Sequence, residues 1–144
     1  GGQKMQEGAI ALMQMTRTVL AVNELKKNNL PYIVVITNPT TGGVSASFAT
    51  LGDILIGEPK SVLAFAGRRV IQNTVKEELP EDFQTTEFVK DHGGIDLVVE
   101  RKYIRSTIST LLSILLKKKE VKNISGINDE SDIQESLQKT SKAI

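Results

Sequence analysis

An α/β fold is the prediction for this chain, and three features of the sequence carry it. The run Tyr32-Ile33-Val34-Val35-Ile36-Thr37 is continuously apolar and β-branched, as in a parallel strand covered on both faces. Short strand patterns alternate with stretches of helical period, the order expected of α/β layers. At 144 residues with 40% hydrophobic side chains, the chain can bury the core of one domain.

The elements follow in order. From Gln3 to Asn28, Ile10, Met13 and Leu20 form one apolar stripe, with Leu12, Met15, Val19 and Val22 almost beside it. So wide an apolar surface predicts a helix that is largely buried. Glu7 near its start and Lys26 and Lys27 near its end suit the helix dipole, and Asn28, Asn29 and Pro31 stop it. The strand at 32–37 leads into TNPTTGGVSAS, and Val44 to Leu51 is a short helix candidate. Asp53–Gly57 and Ser61–Ala66 are two further short strands, separated by the turn Glu58-Pro59-Lys60. After Gly67 the stretch RRVIQNTVKEEL is helical and should end before Pro80. PEDFQTTEFVKDHGG is irregular with one helical turn, and Ile95–Val99 is a last strand. Lys102–Lys119 carries Ile104, Ile108, Leu111, Leu112 and Leu115 at helical spacing, so one face should dock on the core. Beyond Glu120 the chain is rich in Ser, Asn, Asp and Lys without aromatics. Residues 121–144 therefore read as a disordered tail to the domain at 1–120.

Bulk properties exclude several functions. A net charge of +1 gives no general attraction to nucleic acid, and the Lys117–Lys119 run has no interleaved aromatics. No cysteine is present, which excludes disulfides and thiolate zinc sites within this stretch and is compatible with a reducing compartment. No apolar run approaches the roughly 18 residues of a membrane span, and no signal-peptide pattern opens the chain. The expectation is a soluble intracellular protein. The chain opens on GGQKMQEG without an initiator methionine, which reads as the inside of a truncated loop. No His, Asp and Glu cluster has metal-ligand spacing, and the Met13–Met15 pair reads as core filling.

The chemistry concentrates at Gly42-Gly43. A strand that turns through two glycines into a helix points backbone N–H groups outward, where they can hold a negatively charged oxygen. Val44, Ser45, Ala46 and Ser47 are small enough to leave room above those amides. Against this stands the plain reading that the pair only permits a tight turn. Ser45 with His92 and Asp53 suggests a hydrolase triad, but Gly43-Val44-Ser45-Ala46-Ser47 lacks the second glycine of a nucleophile elbow. Arg68 and Arg69, after Gly67, have two open readings: a forked site for phosphate or a carrier protein, or an ordinary solvated pair.

Three stretches carry a resemblance: GGQKMQEGAIALMQM, LPYIVVITNPTTGGVSASFATLGDILIGEPKSVLAFAGRRVIQNT and LPEDFQTTEFVKDHGGID. In order and spacing, from Gly1 to about Leu116, the chain resembles the C-terminal half of the β subunit of bacterial and plastid acetyl-CoA carboxylase carboxyltransferase. The family's opening motif, Ser-Gly-Gly-Ala-Arg-Met-Gln-Glu, appears here as Gly1-Gly2-Gln3-Lys4-Met5-Gln6-Glu7. Lys4 supplies a point charge where the family has a guanidinium fork.

The resemblance implies a crotonase-like fold of repeated β-β-α units. It implies transfer of a carboxyl group from carboxybiotin, borne on a biotin carboxyl carrier protein, to acetyl-CoA, giving malonyl-CoA in fatty-acid synthesis. By position it makes the Gly42 and Gly43 amides the oxyanion donors, with Val44 and Ser45 beside the substrate. Gly1 and Gly2 fall near the CoA thioester and Lys4 joins them as a substrate contact, while the phosphate reading of Arg68 and Arg69 adds those two and Gly67 as further substrate contacts. It also implies a carboxyltransferase α subunit in an α2β2 assembly, biotin carboxylase in a larger complex, and a location in the bacterial cytoplasm or plastid stroma. Zinc is implied only in an N-terminal four-cysteine ribbon outside this stretch. In that chemistry the biotin ureido group takes the methyl proton, so a site of amides needs no histidine or cysteine. Two alternatives are a subunit-interface fragment without activity of its own and a serine hydrolase of the same broad fold.

Overall fold

A computed structural model describes residues 5–76 and 78–116. Gly1, Gly2, Gln3, Lys4, the Lys117–Lys119 run and the tail at 121–144 lie outside the described residues.

A single 3-10 turn, Met5–Glu7, enters helix α1, Gly8–Lys27. Asn28 closes it, its backbone N–H and its side-chain amide both donating to the Glu24 carbonyl, and Asn29 takes a left-handed φ of 52°. Contrary to the sequence expectation, α1 is not largely buried. Only Val22 is, while Ile10 stands 75% and Leu20 60% exposed, with Leu12 and Met13 also outward. The apolar stripe is wider than the surface the described chain offers, for α1 packs chiefly against the stretch Gly43–Thr50.

Strand β1, Ile33–Ile36, β3, Ile54–Gly57, and β5, Leu97–Val98, form one parallel sheet in the order β1-β3-β5. Two carboxylates close its ends: Asp53 Oδ2 accepts the Tyr32 N–H at 2.8 Å, and Asp96 Oδ2 accepts the Leu55 N–H at 2.7 Å. Alternate residues of β1 point into the core, where Val34, Ile36, Leu55, Leu63, Ala49 and Ile95 pack together. Ile56, in the middle of the sheet, is completely covered.

The second sheet is smaller. Strand β2, Thr40–Thr41, pairs in parallel with β4, Leu63–Ala64. The strands expected at 53–57 and 61–66 therefore belong to different sheets. The turn between them redirects the chain: Lys60 has φ 58°, Ser61 N–H donates to Glu58 O, and the buried Thr86 hydroxyl donates to the same carbonyl at 2.6 Å. Thr86 opens helix α3, Thr86–Asp91, whose N-cap Thr85 accepts the Phe88 N–H.

Two helices differ from expectation. Val44–Leu51 is a run of turns ending in the 3-10 segment Phe48–Thr50: Gly42 O still accepts the Ala46 N–H as in a helix, but at the next step the Ser47 hydroxyl takes the Gly43 carbonyl and the Ser47 and Ala49 N–H groups both turn to Val44 O. Helix α2, Arg68–Val75, stops at Lys76 in a left-handed cap rather than running to Leu79. Acidic side chains at 77 and 78 would oppose the dipole at a helix C-terminus. The Arg68 guanidinium then donates to the carbonyls of Leu79 and Glu81, folding that segment back over the helix start.

Helix α4, Arg101–Leu115, half-buries Ile104, Ile108, Leu111 and Leu112 but leaves Ile114 and Leu115 exposed. It is pinned at its first residue, where Arg101 grips Glu58 through Nε–Oε1 at 2.6 Å and a second bond at 3.0 Å.

Candidate active site at the Gly42-Gly43 turn

The parallel register Thr40↔Leu63, Thr41↔Ala64 delivers the chain to Gly42 at the mouth of the smaller sheet. Gly42 adopts φ 62°, a left-handed conformation in which a side chain is strained. Its N–H donates to Phe65 O at 3.1 Å, so the amide expected to face a ligand faces the sheet instead. The amides of Gly43 and Val44 make no hydrogen bond among the described residues, and both residues line a cavity. Two successive N–H groups without a partner, on residues that line a cleft, are the kind of donor pair that anion-binding turns use.

Ser45 and Ser47 are buried braces of this turn. Ser45 Oγ lies 2.7 Å from Ala64 O and 2.9 Å from Gly42 O, tying the turn to β4. Ser47 Oγ donates to Gly43 O, and Thr50 Oγ1 donates to Ser45 O at 3.0 Å. With its hydroxyl held by carbonyls, Ser45 is no activated nucleophile. Asp53 is engaged by the Tyr32 amide, while exposed His92 stacks on Phe88 with Nδ1 at 2.8 Å from Phe88 O. The triad Ser45, His92 and Asp53 is not assembled.

Helix α1 supplies the opposite wall. The cavity, about 370 Å³, runs between Gly8, Ala11, Leu12, Met15 and Thr18 of α1 and Gly43, Val44, Ser47 and Phe48 of the turn. Its lining is mostly apolar. A Cβ placed on Gly43 would meet only the Met15 sulfur, at 3.7 Å. The α1 residues of this wall are absent from the site expected from the sequence, which held Gly43 and Val44 alone of its lining. For Leu12 and Met15 the signal was the second apolar stripe of α1, which sequence alone assigns to the core. Gly67 and exposed Arg69 start α2; Arg68 is committed to its two carbonyls, whereas Arg69 makes no hydrogen bond among the described residues. Among those residues no cluster of His, Asp and Glu could hold a metal ion, and no helix is long and apolar enough to cross a membrane.

The fold and the glycine turn define a class. The chain superposes on transcarboxylase 12S, solved with hydrolysed methylmalonyl-coenzyme A bound, with a TM-score of 0.67 and 27% identity, covering 90% of this chain and 26% of that one. It also superposes on the Pseudomonas malonate decarboxylase MdcD–MdcE heterodimer at TM-score 0.65 and 19% identity, over 98% of this chain and 58% of that one, a likeness of fold alone. The predicted α/β crotonase-like fold, shared with carboxyltransferases, is therefore the fold observed.

No family model matches the chain. Curated relatives do: it is 58% identical over 139 residues to the acetyl-coenzyme A carboxylase carboxyl transferase subunit beta of Pelagibacter ubique, covering 96% of this chain and 45% of the relative. The Bartonella tribocorum subunit of the same name is 52% identical over 143 residues, 99% of this chain and 46% of the relative. The chain belongs to the family of acetyl-coenzyme A carboxylase carboxyl transferase β subunits, and it spans somewhat under half the length of these relatives.

Proposed function

We propose that the chain acts within a biotin-dependent acetyl-CoA carboxyltransferase that converts acetyl-CoA to malonyl-CoA. The observation that carries the reading is the pair of free amides at Gly43 and Val44 beside an apolar cleft, in a chain of this family. A thioester oxygen suits such a site: it is small and gains negative charge when the neighbouring methyl group loses a proton. Two amides preset toward that oxygen stabilise the enolate, each well-aimed donor contributing roughly 3 kcal/mol. Carboxybiotin, when bound, supplies the carboxyl group and a ureido nitrogen that accepts the methyl proton.

The chain's own residues then have distinct tasks. Gly42 fixes the direction of the turn through its bond to Phe65, so it orients the donors rather than serving as one. The Ser45 and Ser47 hydroxyls hold the turn carbonyls so that the free N–H groups keep their aim. The apolar α1 wall excludes water from the reacting carbon, which strengthens the amide–oxyanion attraction. Arg69, two residues after Gly67 and unpaired among the described residues, is the better placed of the two arginines to meet a CoA phosphate or the carrier protein. Gly1 and Gly2 are assigned to the thioester side, and Lys4 to the substrate, by family resemblance alone. The same reading calls for an α subunit in an α2β2 assembly, a biotin carboxyl carrier protein and biotin carboxylase as partners. It places the zinc ribbon outside this stretch and the assembly in the bacterial cytoplasm or plastid stroma.

Gly43→Val tests the reading. Gly43 lacks the positive φ of Gly42, and a Cβ there has only an ordinary contact, so the fold should accept the change. Combined with a carboxyltransferase α subunit, the variant should assemble normally, while malonyl-CoA-dependent carboxylation of biocytin falls by about 10²-fold or more. Full activity in an assembled variant would remove the turn from the mechanism.

A further inference from the structure

We infer that Met15 limits the length of the acyl group this site accepts, an inference that rests on the carboxyltransferase reading. The polar side chains around the cavity are already committed. Thr18 Oγ1 donates to Met15 O at 2.8 Å, Gln14 Nε2 to Ile10 O at 3.4 Å, and Ser47 Oγ to Gly43 O. What remains for a ligand is carbon and sulfur surface, plus the amides of Gly43 and Val44. Such a cleft distinguishes ligands by shape rather than by hydrogen bonds.

Among the wall residues, Met15 is the one that meets the turn at Gly43. A Cβ on Gly43 would stand 3.7 Å from its sulfur, and apart from Gly43 and its chain neighbours no other described atom comes within 4 Å of that point. Met15 therefore bounds the cleft at Gly43, the residue that carries the first of the two unpartnered amides. An acyl oxygen resting on that amide keeps its first two carbons close to the turn. A third carbon extending toward α1 runs into the thioether. Methionine is unbranched and flexible, so this wall yields partly to a longer chain instead of forbidding it. Truncation to alanine removes the obstacle, and one methylene in an apolar pocket is worth roughly 10–200-fold in discrimination.

The test uses the full chain assembled with a carboxyltransferase α subunit. Carboxylation of biocytin is followed with malonyl-CoA and with methylmalonyl-CoA, whose acyl products differ by one carbon. The unaltered assembly should favour malonyl-CoA. Met15→Ala and the smaller truncation Met15→Val should each shift the kcat/KM ratio toward methylmalonyl-CoA, by about tenfold for alanine, while volume-matched Met15→Leu leaves the ratio near its original value. An unchanged ratio in both truncated variants would overturn the assignment. So would equal handling of the two thioesters by the unaltered assembly, a result that needs no variant to fold. No turnover of either thioester by the unaltered assembly would instead strike the carboxyltransferase reading, and the Met15 limit with it.

Discussion

At Gly42 and Gly43, adjacent identical residues do different work. Gly42 needs its missing side chain for conformation, since φ 62° strains any L side chain, whereas Gly43 needs it for space in front of an amide. Gly42→Ala should cost about 1–2 kcal/mol in urea unfolding. Nothing lies within 4 Å of the added methyl, so the cost is one of backbone strain. Unchanged stability would mean that the turn relaxes out of the left-handed region. The glycine pair was legible in the sequence as a turn with outward amides. Which amide is free was not, because the answer depends on Phe65, more than twenty residues away, presenting its carbonyl to Gly42. The same holds for Arg68, whose guanidinium looks available in sequence and is used up by the backbone at Leu79 and Glu81.

Among the elements, the unbroken β-branched run at 32–37 announced a parallel strand correctly, since strand type depends on what covers its faces. β2 was invisible: two threonines inside a Pro- and Gly-rich stretch become a strand only because β4 lies alongside them. The helix expected after Gly43 fails for a local reason, as the Ser47 hydroxyl takes the Gly43 carbonyl that the Ser47 N–H would need in a helix. The join between β3 and α4 is electrostatic and is open to titration. The Arg101 guanidinium, hydrogen-bonded to Glu58, holds that carboxyl below its ordinary range, and the Glu58 side chain is only 12% exposed. A lowered folded-state pKa contributes stability above the ordinary carboxylate range, and that contribution is lost as pH falls through the lowered value. Glu58→Gln should therefore melt below the unaltered chain at pH 7, the two curves converging as the solution becomes strongly acidic. A gap that persists in strong acid would show that packing at residue 58, and not its charge, holds α4 in place.

For the whole molecule, the pattern of exposure says more than the fold. A wide apolar stripe is ordinarily a sign of burial, and the sequence reading of α1 as a core helix rested on that rule. In the described chain Ile10 and Leu20 face outward, along with Phe65 and Val70 near the start of α2 and Ile114 on α4. Surfaces of this kind promote association. The isolated chain should bind an apolar dye and scatter light in proportion to its concentration. Ile10→Lys combined with Leu20→Lys should lower both signals without altering the far-ultraviolet circular dichroism. Unaltered scattering would place the adhesive surface elsewhere than α1.

The smaller sheet has one further consequence. It is built from two residues per strand, so Gly42 is tethered to Phe65 by a ladder too short to stay shut by itself, with the Ser45 hydroxyl acting as a latch between the turn and Ala64. Deuterium uptake at neighbouring main-chain nitrogens becomes a gauge of that tether: Gly42 should take up label slowly and Gly43 quickly. Ser45→Ala should release Gly42 to the pace of its neighbour, long before the larger sheet loosens at all.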